Sequence, residues 1–262
     1  MDPFWSWVLL SFILGALIVA GVTVLGERLG TKIGGFIGSL PHLIIVSFYF
    51  IGMTQGIDAA TEATILVPAT MGINALFLYS YYMISTKNKW LAPVGAFTIW
   101  GLLAGLVLLV HIDSIKISIL IFLICTIAVH VAFGKRPELR ERRKKSMRYT
   151  PIIIVGRGAL AGSVIALGII ISKYSGPLIG GMFSVFPAMM LSTMLIYTYQ
   201  HDERYAGSMA KTMIIGVITV VTYAIACQFV FPLHGLAWGS LAGFIVALGT
   251  VVAIYPIVRS MR

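Results

Sequence analysis

Two stretches of the chain carry residues whose types and spacing suit the binding of a small ligand. The first is Gly30-Thr31-Lys32-Ile33-Gly34-Gly35-Phe36-Ile37-Gly38-Ser39-Leu40-Pro41, the second Gly176-Pro177-Leu178-Ile179-Gly180-Gly181-Met182-Phe183-Ser184-Val185-Phe186-Pro187. In each, a Gly-Gly pair precedes a proline within an apolar run. Proline lacks an N–H and clashes with the preceding turn, and paired glycines loosen the backbone, so both stretches are expected to be broken helices. A half-helix restarting at Pro41 or Pro187 turns its N-terminal amides toward the break, an end that favours negative charge. Hydroxyls at Ser39, Ser47, Ser184, Ser192 and Thr193, with the imidazole of His42, are placed to line the same space. The competing reading is structural: glycines allow close helix packing, and hydroxyls bond across helices.

Arg157 lies about six residues inside an apolar run and is the clearest candidate for a charge within a membrane, where a charge marks function by default; snorkelling to the interface is the alternative. Lys211 reads as an interface anchor and His130 as a structural histidine. Met182, Met189, Met190 and Met194 cluster around the second stretch. Thioethers select copper, but methionine more often fills gaps, so no metal site is expected. The carboxylates Glu27, Asp58, Glu62, Asp113, Asp202 and Glu203 all fall at the ends of apolar runs or between them, which gives little support to a carrier coupled to protons or sodium. No carboxylate pair, zinc helix motif or Ser/His arrangement stands at a recognisable spacing, so neither catalysis nor a cofactor is expected. The candidate substrate-binding set is Gly34, Gly35, Ser39, Pro41, His42, Arg157, Gly180, Gly181, Ser184 and Pro187.

The elements that must position these residues follow from composition. Hydrophobic residues make up 59% and charged residues 11% of the 262, with a mean hydropathy of +0.97. A soluble domain carries about 25% charged residues, so the chain is expected to be an all-α polytopic membrane bundle. At roughly 20 apolar residues per span there is room for about nine, placed near 4–26, 31–54, 62–85, 90–111, 115–134, 151–173, 176–200, 207–231 and 236–257. Residues 1–5 read as the start of the first span and not as a removable signal peptide. Cys125 and Cys227 both lie in apolar runs, so no disulfide framework is indicated.

The net charge of +10 sits mainly in short loops and so speaks for orientation, not for a nucleic-acid partner. The loop from Lys135 to Thr150 holds Lys135, Arg136, Arg140, Arg142, Arg143, Lys144, Lys145 and Arg148 against Glu138 and Glu141. Basic short loops stay cytoplasmic. With five spans before it and four after, the N-terminus is expected outside a cell membrane and the C-terminus inside. Anionic lipid head groups are the expected partners of that loop.

The two glycine–proline stretches are copies at a constant offset of 146 positions, as from Pro41 to Pro187 and from Gly34 to Gly180. Gly30, Ile33, Gly34, Gly35 and Pro41 all recur, and the same offset pairs Ser47 with Thr193. Four spans, a linking span and four more place the copies in opposite orientations, an inverted-topology repeat. The expected units are 1–114, the linking helix and basic loop 115–150, and 151–262. On the stretches Gly35 to Pro41 and Gly181 to Pro187, each followed by an apolar span, each half resembles the small four-span bacterial membrane proteins of the GlpM-like group. The resemblance covers roughly three spans of each half and implies two such units fused in opposite orientations; it implies no particular activity. The resulting expectation is a transporter of a small solute or ion working by alternating access, with a channel or a non-transporting scaffold as the alternatives.

Overall fold

In a computed structural model, which describes residues 3–28, 40–136, 139 and 149–260 (backbone alone for 26–28 and 255–260), every element is an α-helix. They are α1 Pro3–Arg28, α2 His42–Gln55, α3 Ile57–Ala63, α4 Val67–Ser85, α5 Ala92–Leu109, α6 Ile115–Gly134, α7 Pro151–Ser175, α8 Pro177–Ser184, α9 Ala188–Gln200 and α10 Glu203–Ser260. Prolines punctuate the helix starts. Pro68, Pro93, Pro151 and Pro177 stand in the first turns of α4, α5, α7 and α8, where the missing N–H has no intrahelical partner to lose. Thr150 adds a cap to α7, its hydroxyl accepting from Ile153 N at 3.4 Å, which satisfies one orphan donor.

Among the described residues, seven stretches are long and apolar enough to cross a membrane. The expected boundaries hold closely for α6, at 115–134, and within a few residues for α1, α5 and α7. Residues 62–85 differ: the helix begins earlier, at Ile57, and is interrupted at Thr64–Leu66 before α4. α10 is 58 residues long, about 87 Å if straight against a hydrocarbon core of about 30 Å, so it must turn back. It does so at Gly235, whose φ of 76° and ψ of 178° suit only a residue without Cβ. The two arms then lie antiparallel: Thr250 Oγ1 donates to Thr222 Oγ1 at 3.0 Å, and Gly243 leaves room for the Tyr223 ring and Cys227.

α1 and α7 form another antiparallel pair. A Cβ at Gly158 would stand 2.8 Å from Ala16 O, and one at Gly162 would stand 3.0 Å from Phe12 Cδ2. The absence of side chains at those positions is what lets the backbones approach. At the far end of the same pair, Lys173 Nζ lies 3.7 Å from the Phe4 ring centroid.

The helices sort by burial. α3 and α4 are largely buried within the bundle, whereas α5 and α6 expose most of their length. The outer faces present Leu17, Leu102, Ile124 and Leu233, each more than half exposed. An apolar rim around a packed helical interior is the arrangement that lipid as solvent selects, since helices satisfy their own backbone groups. The molecule is a multi-pass helical membrane protein.

Candidate functional site

The segment Pro177–Gln200 does not run as one helix. α8 ends at Ser184, and α9 restarts at Ala188 with Pro187 as its N-cap residue (φ −77°, ψ 27°). An interruption inside an apolar bundle frees backbone groups that must find partners within the protein. The Val185 carbonyl finds Asn74 of α4, whose Nδ2 donates to it at 2.8 Å. Asn74 is fully buried and is itself held, its Oδ1 accepting from Trp100 Nε1 of α5 at 2.8 Å. Phe186 fills the bend between aromatic neighbours. Its ring stacks on Phe97 at 5.2 Å and on Phe183 at 5.8 Å, and meets the Trp100 ring edge-on at 4.9 Å. Trp100 therefore fixes both the amide that satisfies the interruption and the side chain that occupies it.

The glycines upstream act differently from the expectation. Gly180 and Gly181 lie within the regular helix α8, so they do not loosen the backbone; they permit contact. A Cβ on Gly180 would reach Ser172 Cα at 2.6 Å and Gly168 O at 2.8 Å in α7, and one on Gly181 would collide with the backbone of Ala63 in α3. α8 is thus seated backbone to backbone between two helices. Ser184 belongs to the same seam: its hydroxyl donates to Gly180 O at 2.9 Å, and it packs against Gly168. The glycine that does need its conformational freedom is Gly176, at φ 97° and ψ 154° between α7 and α8, a backbone strained for any residue with a Cβ.

A second polar group gathers around Arg157 on α7. Its Nη1 donates to Ser192 Oγ at 3.0 Å and to Thr193 Oγ1 at 3.2 Å, both on α9, and the guanidinium lies 5.8 Å from the Tyr149 ring centroid. Its Nε is buried without a hydrogen-bond partner. His42 is the first residue of α2, and its Nδ1 is likewise buried without a hydrogen-bond partner. Pro41 precedes it as the N-cap residue with φ −80° and ψ 42°, close to the angles at Pro187. Farther along α2, Ser47 is fully buried with no partner for its hydroxyl. At the end of that helix Gln55 joins α7, accepting from Ser172 Oγ at 2.8 Å and donating to Ile169 O at 3.3 Å.

Of the candidate residues, the structure brings Arg157 together with Ser192 and Thr193, sets Pro41 and His42 at the start of α2, and places Gly180, Gly181, Ser184 and Pro187 along the α8–α9 segment. Gly34, Gly35 and Ser39 lie outside the described residues. Three of the methionines near the second stretch belong to the apolar packing: Met182 and Met194 are core residues, and Met190 packs against the core. Sequence reasoning missed Asn74 and Trp100. A lone amide within an apolar run signals that a buried partner is needed, though not which residue supplies it.

A family model described as Protein of unknown function (DUF3147) matches residues 154–260. No curated protein and no solved structure matches the chain.

Proposed function

We propose that this chain is an integral membrane transporter that moves a small solute or ion by alternating access, taking it between the segments 34–42 and 180–188. The observation that carries this reading is the interruption at Val185–Pro187, held within an apolar interior by Asn74 and Trp100 from other helices. Discontinuous helices near the midplane, in corresponding positions of two inverted halves, are where transporters of this build hold their cargo.

The proposal takes the chain as nine spans in units 1–114, 115–150 and 151–262, the outer two being inverted copies. Three observations support it. α1 and α7, equivalent under the 146-residue offset, run antiparallel. α2 and α9 both begin directly after a proline with similar backbone angles. The family match at 154–260 falls within the second unit. In this reading the N-terminus is outside, the C-terminus is cytoplasmic, and the basic loop between α6 and α7 meets anionic lipid head groups. The likeness to GlpM-like proteins supports the architecture and leaves the cargo open.

The test is a solute screen with purified protein in liposomes. Flux that saturates and shows counter-exchange is expected. Single-channel currents would replace the carrier by a channel, and a protein that moves no solute and binds no small ligand would be a scaffold. The pair Pro41→Ala and Pro187→Ala should impair flux more than stability; normal flux in the double variant removes the site.

A further inference from the structure

The turn between α4 and α5 sets a cation against two aromatic rings at one end of the bundle. Lys89 Nζ lies 5.4 Å from the Tyr199 ring centroid and 5.8 Å from that of Trp90, and the two rings stand 5.2 Å apart. Both distances are within the range at which a ring face attracts a cation. Tyr199 comes from the last turn of α9. Asn88 fixes the turn itself, its Oδ1 accepting from Trp90 N at 2.9 Å and from Leu91 N at 3.3 Å. The rings hold the ammonium but bring no negative charge to it. Among the described residues no carboxylate forms an ion pair with Lys89, and the Trp90 indole N–H has no partner.

The surroundings are those of a membrane surface. Trp90 is 70% exposed, and Leu91 and Val94 just after it are more than half exposed, at the start of the outward side of α5. The cluster therefore stands where a polar turn gives way to an apolar face, the level at which Trp and Tyr concentrate in membrane proteins. This end of the bundle is also basic. Arg136, just past α6, donates from Nη2 to Met83 Sδ of α4 at 3.2 Å, so the α4–α5 turn and the start of the basic loop share a face. Lys87, Lys89, Lys135, Arg136 and Arg204 stand there against Asp202 and Glu203. The Asp202 carboxylate is engaged at the start of α10, accepting from Tyr205 N at 2.9 Å. An occupant must bring negative charge to Lys89 and apolar chain to Leu91 and Val94 at once. A neutral lipid lacks the first, and a free anion lacks the second.

We propose that Lys89, Trp90 and Tyr199 form a binding site for the head group of an anionic phospholipid, with its acyl chains along the exposed side of α5. The ammonium meets the phosphate, and the indole N–H supplies a donor at the same level. The site is separate from the basic loop. It rests on the membrane class of the fold and holds whatever the cargo.

Full-length protein carrying 5-fluorotryptophan, in an uncharged detergent, gives fluorine resonances from its five tryptophans. The one lost in Trp90→Phe reports this site. It is titrated with phosphatidylglycerol, with phosphatidylcholine and with glycerol phosphate. Saturable displacement of the Trp90 resonance by phosphatidylglycerol is expected, at about a fifth of the concentration phosphatidylcholine needs, the factor one lysine contributes near an anionic surface. Lys89→Gln should raise the phosphatidylglycerol midpoint about fivefold, and Tyr199→Leu about twofold or more by releasing the ammonium. Lys89→Arg keeps the charge and stacks on the same rings, so it should bind as wild type does. Equal response to the two lipids overturns the assignment, as does a wild-type midpoint in Lys89→Gln or Tyr199→Leu. Glycerol phosphate acting as well as phosphatidylglycerol overturns a lipid as the occupant. Lipid held by the basic loop alone would leave the Trp90 resonance unmoved, and the site would fall while that contact stood.

Discussion

At the scale of single residues, Asn74 has the most to lose. It donates to a carbonyl freed by the α8–α9 interruption and accepts from an indole N–H. Replacement by leucine orphans both groups, each costing about 1–3 kcal/mol when buried. Asn74→Leu should therefore unfold in detergent at a clearly lower temperature than wild type. Trp100→Phe breaks only one of the bonds but also trims the contact with Phe186, so it should fall measurably too. Unchanged unfolding temperatures in both would show that the amide does not hold the bend. Arg157 was legible in the sequence because a charge in an apolar run is costly wherever it lies. The role of Asn74 was not, because its partner is 111 positions away and no spacing rule connects them.

Among the elements, α8 tests the packing role of the glycines. Gly181→Ala drives a methyl into the backbone of Ala63, and overpacking of that kind costs about 1–3 kcal/mol. Gly101 on α5 faces open space, so Gly101→Ala should stay within about 0.5 kcal/mol of wild type. Equal losses in the two variants, read from thermal unfolding, would refute the close seating of α8. The prolines were readable as helix starts because their chemistry acts locally. The glycines were ambiguous, because whether a missing Cβ loosens a chain or admits a neighbour depends on which helix crosses there. The span at 115–134 was found closely because polar residues flank both ends. The turn at Thr64–Leu66 carries a mark of its own in Pro68, in the first turn of α4, but Thr61 and Glu62 before it read equally well as the end of a loop.

For the whole molecule, the proposed topology puts the turn around Asp58 and the basic loop on opposite faces of the membrane. Single cysteines at positions 58 and 145, in a background lacking Cys125 and Cys227, should be labelled by an impermeant reagent from opposite sides of intact cells and inverted vesicles. Labelling of both from the same side would overturn the nine-span arrangement. Hydropathy alone made the membrane class legible. The pairing of α1 with α7 was not, since nothing in either helix names its partner; only the small residues Gly158 and Gly162 hint that some backbone comes close.

The bond from Asn74 to Val185 also bears on whether the second half of the chain is self-sufficient. The donor sits on α4, outside both the unit 151–262 and the matched segment 154–260. A polypeptide cut down to that half would present a bare carbonyl at its bend and leave Phe186 without Phe97 and Trp100. Supplying residues 1–150 as a separate chain should restore it by complementation. Position 74 is in that respect tied to the bend at 185–187 and cannot drift independently of it.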